Sequence, residues 1–70
     1  MIQNKQIQSF PVFTPPSKVK HVCGISRSTA LRLEAAGEFP LRRRITPGGL
    51  TAWVTEELIE WAGSREFVRS

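Results

Sequence analysis

A chain of 70 residues with 40% hydrophobic content builds one small domain and leaves little interior for a substrate cavity, which weighs against an enzyme. Ten Lys and Arg outnumber six Glu, with no Asp, for a formal charge of +4, and one cysteine excludes an internal disulfide. No apolar run approaches the ~20 residues of a membrane span, and the polar start, Met1 to Gln6, is unlike a signal peptide, so a cytoplasmic protein is expected.

The charge is unevenly spread. Between positions 17 and 54 seven basic residues stand against Glu34 and Glu38, whereas from position 55 onward four glutamates stand against Arg65 and Arg69. A basic middle beside an acidic end suggests a surface whose positive side meets a polyanion, the alternative being ordinary solvation.

Residues 1–15 read as an N-terminal arm, extended or partly disordered, because Pro11, Pro15 and Pro16 forbid a regular helix. Phe10, Val12 and Phe13 suit an extended segment packed over the domain. The other reading is a flexible arm reaching DNA or a second subunit, for which Lys5 is the only charge. Residues 16–66 form the domain and 67–70 a tail.

Ser17 is a candidate N-cap for a first helix over 18–23, whose apolar stripe is Val19, Val22 and Cys23. Cys23 reads as a small buried hydrophobe, since no His and acid partners for a nucleophile lie nearby. His21 stands alone on the exposed side, without the companions a metal site needs. Gly24 can then end the helix at positive φ. Ile25 plugs the corner and Ser26 caps the next helix. A turn of about three residues is the length of a DNA-binding helix-turn-helix.

The second helix is expected over 27–36. Thr29, Ala30, Leu33 and Ala36 fall on an inner face, and Arg27, Ser28, Leu31 and Ala35 on the outer one, with Arg32 and Glu34 on the flanks. The N-terminal half of such a helix enters the major groove. There an Arg grips guanine O6 and N7, Ser28 bonds a base edge or phosphate, and Leu31 touches a thymine methyl. The bland alternative for Arg27 and Arg32 is a solvated helix surface.

Gly37 stops the helix and Phe39-Pro40 turns the chain. Two short β-compatible runs, 41–45 and 50–54, flank Thr46-Pro47-Gly48-Gly49 and read as a hairpin, a candidate wing. Arg42 and Arg44 share one face of the first run and Arg43 the other. All three are candidate phosphate contacts, and Gly48 and Gly49 would let the hairpin tip approach the backbone. The alternatives are solubility for the arginines and turn chemistry for the glycines. Thr55 is expected to cap a third helix with Glu56 and Glu57 in its first turn, Leu58, Ile59 and Ala62 buried, and Gly63 at its end. Trp53 and Trp61 suit core packing better than base stacking. Paired carboxylates, a nucleophile–base set and a phosphate-binding loop are all missing, so no catalytic residue, cofactor, metal or small-molecule substrate is expected.

The run Gly-Ile-Ser-Arg-Ser-Thr at 24–29, Ala-Gly-Glu-Phe-Pro at 36–40, Trp53 before an acidic pair, and Trp61 together resemble the AlpA family of prophage regulators. That family is similar to phage excisionases and to the DNA-binding head of MerR proteins. The resemblance covers residues 13 to 65. It implies a mostly α fold with a small β-hairpin, a winged helix-turn-helix of three short helices, binding double-stranded DNA at attachment or promoter regions. Carried over, Arg27, Ser28 and Arg32 would be recognition-helix contacts and Arg42 to Arg44 the wing. The chain departs from the family at Leu31, where an aromatic residue is common, and at Pro15-Pro16, in place of an apolar approach to the first helix. The expected partners are duplex DNA, an integrase, and further copies on adjacent sites. A small inhibitor of a host factor on the same fold is the competing class.

Overall fold

Gly24 sets the first corner of the molecule. In the computed structural model, which describes residues 11–68, helix α1 (Val19–Cys23) ends there at φ +83°, with the Gly24 N–H bonded to the Lys20 carbonyl. Two residues later Ser26, in extended conformation, opens helix α2 (Arg27–Ala35), and its Oγ accepts the Thr29 N–H at 3.2 Å. The cap therefore satisfies one of the donors that a helix start leaves orphaned. Helix α2 closes on Gly37 at φ +77°, with Gly37 N–H bonded to the Glu34 carbonyl and Glu38 N–H to that of Leu33. That paired closure satisfies two of the last carbonyls.

The approach to α1 differs from expectation. Pro15 is held extended and Pro16 opens a 3-10 turn, Pro16–Lys18, that runs into α1 without a side-chain cap. Proline's fixed φ suits the first position of a helical turn, so the turn begins before Ser17 can cap it.

Strands β2 (Arg43–Arg44) and β3 (Thr51–Val54) form the expected antiparallel hairpin, with Arg43 opposite Ala52 and Arg44 opposite Thr51. Its tip is closed by Gly49 N–H to the Thr46 carbonyl, and Gly49 sits at φ +103°. A third strand, β1 (Phe13–Thr14), pairs with the other side of β3, giving the order β1-β3-β2. This is where the expected arm goes from position 13: Phe13 and Thr14 lie extended in the sheet. Phe10 and the rest of 1–10, like 69–70, fall outside the described residues.

Helix α3 (Thr55–Gly63) follows β3 directly. Thr55 does not cap it. Its N–H bonds to the Val12 carbonyl at 2.8 Å, and its buried hydroxyl lies 2.6 Å from that of Thr14. With the N-terminal segment supplying an acceptor for that orphan donor, the hydroxyl is spent across the sheet. Burying Thr55 also turns the helix, so the inner stripe is Thr55, Leu58 and Trp61 at i, i+3 and i+6, while Ile59 and Ala62 face solvent.

The core joins one residue from each region: Val19, Ala30, Phe39, Trp53 and Leu58, with Val22, Cys23, Ile25, Leu31, Leu33 and Trp61 packed around them. Phe39 meets Trp53 edge-on at 5.4 Å and Trp61 at 4.7 Å. Both indoles donate to backbone carbonyls, Trp53 to Pro40 and Trp61 to Glu38. Ala36, expected inside, caps α2 and is exposed.

The threonine pair makes a sign-sensitive test of this packing. Thr55→Val should cost about 1–3 kcal/mol, because it strands a buried Thr14 hydroxyl, whereas Thr14→Val with Thr55→Val should be close to neutral. Denaturant titration of the two variants measures this directly, and equal losses would contradict the pairing.

Candidate nucleic-acid interface

The first turn of α2 presents Arg27 and Ser28 to solvent, with Arg32 exposed further along. The geometry follows from the Ser26 cap, which fixes where the helix starts and hence which residues lead it. Ser28 Oγ lies exposed 3.4 Å from Ser26 Oγ, too long for a firm bond, so its hydroxyl is available to a ligand. Among the described residues neither Arg27 nor Arg32 is paired with a carboxylate. Leu31 departs from expectation. It is half-buried and packs against the core, so only part of its side chain is left for the outer face.

The three consecutive arginines are not equivalent. Arg42 is bound to Glu34 of α2: Nη2 meets Oε1 at 3.0 Å, Nε meets both oxygens at 3.1 Å, and the Arg42 backbone N–H donates to Oε2 at 2.8 Å. Its guanidinium also lies 5.9 Å from the centre of the Trp53 ring. Arg43 turns the other way and pairs with Glu57 of α3. That pair is half-exposed, and exposed pairs contribute only about 0–1 kcal/mol. Among the described residues Arg44 has no carboxylate partner. Strand alternation points it to the opposite face of β2 from Arg43.

Gly48 and Gly49 both lie exposed at the hairpin tip but for different reasons. The positive φ of Gly49 is turn chemistry. Gly48 has no positive φ, and a Cβ there would meet Thr46 Oγ1 at an ordinary 3.8 Å.

Lys18 and Lys20 lie exposed beside His21 around an open surface groove, as their place off the apolar stripe of the first helix implies, adding cations ahead of the turn that leads into α2. The engagement of Arg42 by Glu34 escaped the sequence, since no local rule pairs residues eight apart across a helix end. Cys23 is half-buried, and desolvation pushes its thiol pKa up, which disfavours the reactive thiolate. Among the described residues no three His, Cys or Glu side chains gather as metal ligands, and no helix is long and apolar enough to cross a membrane.

A family model described as the prophage CP4-57 regulatory protein (AlpA) matches residues 16–66. The uncharacterized protein ORF88 of Enterobacteria phage P4 is 41% identical over 49 residues, 69% of this chain and 53% of that protein. The chain thus spans about half the length of the curated relative it matches. No solved structure matches it.

Proposed function

The chain belongs to the AlpA family of prophage regulatory proteins, and from that footing we propose that it is a sequence-specific double-stranded DNA-binding protein. Helix α2 enters the major groove, Arg27 reads base edges, and Ser28 and Arg32 contact edges or phosphates beside it. The β2–β3 hairpin acts as the wing, with Arg44 on the backbone and the Gly48–Gly49 tip close to it. The observation that carries this reading is the set of exposed, carboxylate-free arginines, Arg27, Arg32 and Arg44, on elements set by one short turn and one hairpin. Arg43 is available by exchange, because a half-exposed ion pair gives way to a phosphate at little cost.

The action is non-enzymatic, cytoplasmic and nucleoid-associated, and needs no cofactor. A module of this size buries limited area on DNA, so tight binding calls for further copies on neighbouring sites. Its role in the phage cycle is excision, through DNA bending or integrase recruitment at an attachment site, or control of a promoter, or both. Footprinting on attachment and promoter regions separates those roles.

A salt titration tests the central claim. Neutralising several phosphates should give a log–log slope of binding against salt of about −3 to −5 on duplex DNA. A flat response, or no duplex binding at low salt, would overturn the reading and favour a protein-binding inhibitor of a host factor.

A further inference from the structure

Glu34 stands where a carboxylate is least favoured by its own helix. It lies in the last turn of α2, beside the partial negative charge of the helix C-terminus. Its side chain is only 11% exposed, and on a basic surface facing a polyanion a buried negative charge weakens attraction. Three groups of Arg42 nonetheless converge on it, including a backbone N–H. A backbone bond fixes the path of the chain, which a side-chain pair alone does not. The Arg42 guanidinium also lies 5.9 Å from the centre of the indole of Trp53, a residue with no exposed surface.

Building on the DNA-binding reading, we infer that Glu34 and Arg42 are positioning residues that fix the hairpin relative to helix α2. Arg42 is thereby withdrawn from phosphate contact. The clamp holds the strand at the point where β2 begins, so the direction of Arg44 and of the hairpin tip is set against the groove-reading helix. Glu57 provides the contrast. It pairs with Arg43 through side chains alone, at a more exposed site, and acts only as a competitor for that arginine.

The two carboxylates therefore give opposite results for the same change of charge. Glu34→Gln removes a negative charge, which by electrostatics alone should tighten binding to a mixed-sequence DNA duplex. Loss of the clamp should instead weaken binding on the order of tenfold, and lower the magnitude of the salt slope by about one as the hairpin contact is lost. Glu57→Gln should tighten binding by about twofold. Arg42→Lys keeps the cation but not the planar fork, and should weaken binding as Glu34→Gln does. The double variant should be no weaker than either single one. Melting curves verify that each variant is folded, and Arg42→Lys carries the test if Glu34→Gln does not fold. Duplex binding by the unaltered protein, with equal or tighter binding by Glu34→Gln or by Arg42→Lys, overturns the positioning role alone. Failure of the unaltered protein to bind duplex overturns the DNA reading and this inference with it.

Discussion

Trp53→Ala is expected to leave the domain largely unfolded at room temperature. The indole has no exposed surface, meets Phe39 edge-on at 5.4 Å, and donates from Nε1 to the Pro40 carbonyl at 2.8 Å. Truncating a buried aromatic of this kind costs about 3–5 kcal/mol. A domain of this size commonly holds no more than about 5 kcal/mol in total. The loss is compounded on one side, since Arg42 then lacks the ring face beside it and Pro40 keeps an unpaired carbonyl. Trp53→Phe should be far milder, losing the hydrogen bond but refilling most of the space. Circular dichroism against temperature and denaturant checks both. If Trp53→Ala melts normally and loses only DNA binding, the indole is a base-stacking platform and the core assignment is wrong.

Arg27→Ala should cost about 1–3 kcal/mol of discrimination between a selected duplex and single-base variants of it. The reason is positional. Arg27 is the first residue of α2, and its place is set by the Ser26 cap and the Gly24 corner. Its side chain is exposed, so its removal should leave the melting temperature nearly unchanged. A readout on a duplex chosen from a random pool by the unaltered protein measures the effect. Arg44→Ala offers the contrast. It should weaken all sequences about equally, because a phosphate contact carries no base information. Should Arg27→Ala lose affinity uniformly and keep its site preference, Arg27 is a backbone contact and another residue reads the bases.

Residues that act through their own backbone were legible in the sequence, and residues that act across the fold were not. Gly24, Ser26 and Gly37 each decide a helix end by φ or by one capping bond, and each falls where its type predicts. The hairpin follows equally from Thr46-Pro47-Gly48-Gly49. In contrast, the Thr14–Thr55 hydroxyl pair joins residues 41 apart, and nothing local marks either partner. Reading Thr55 as a cap was reasonable for a threonine at a helix start. It failed because Thr55 is already the first helical residue and its hydroxyl is paired with that of Thr14. The same cause shifted the buried stripe of α3 by a residue and left Ile59 outside. At the candidate interface, Arg27, Ser28 and Arg32 are exposed as their helical phase implies. The division of labour within Arg42-Arg43-Arg44 depends on where α2 and α3 lie, which a charge run cannot encode. Leu31 falls on the outer face by helical phase but packs against the core cluster, which only the assembled fold decides.

The pairing of β1 with β3 also bears on where this domain can be cut. The region shared with the family starts at residue 16, yet Phe13 and Thr14 pair with Val54 and Trp53 along one side of the central strand. A fragment beginning at the family boundary would turn β3 from a central strand into a sheet edge, with its backbone N–H and C=O groups open along that side. Such edges recruit strands from other chains. The opposite side carries its own deterrent, a two-residue strand made only of arginines. A fragment cut at the family boundary is therefore expected to aggregate, and one that keeps the sheet whole should begin at or upstream of Val12.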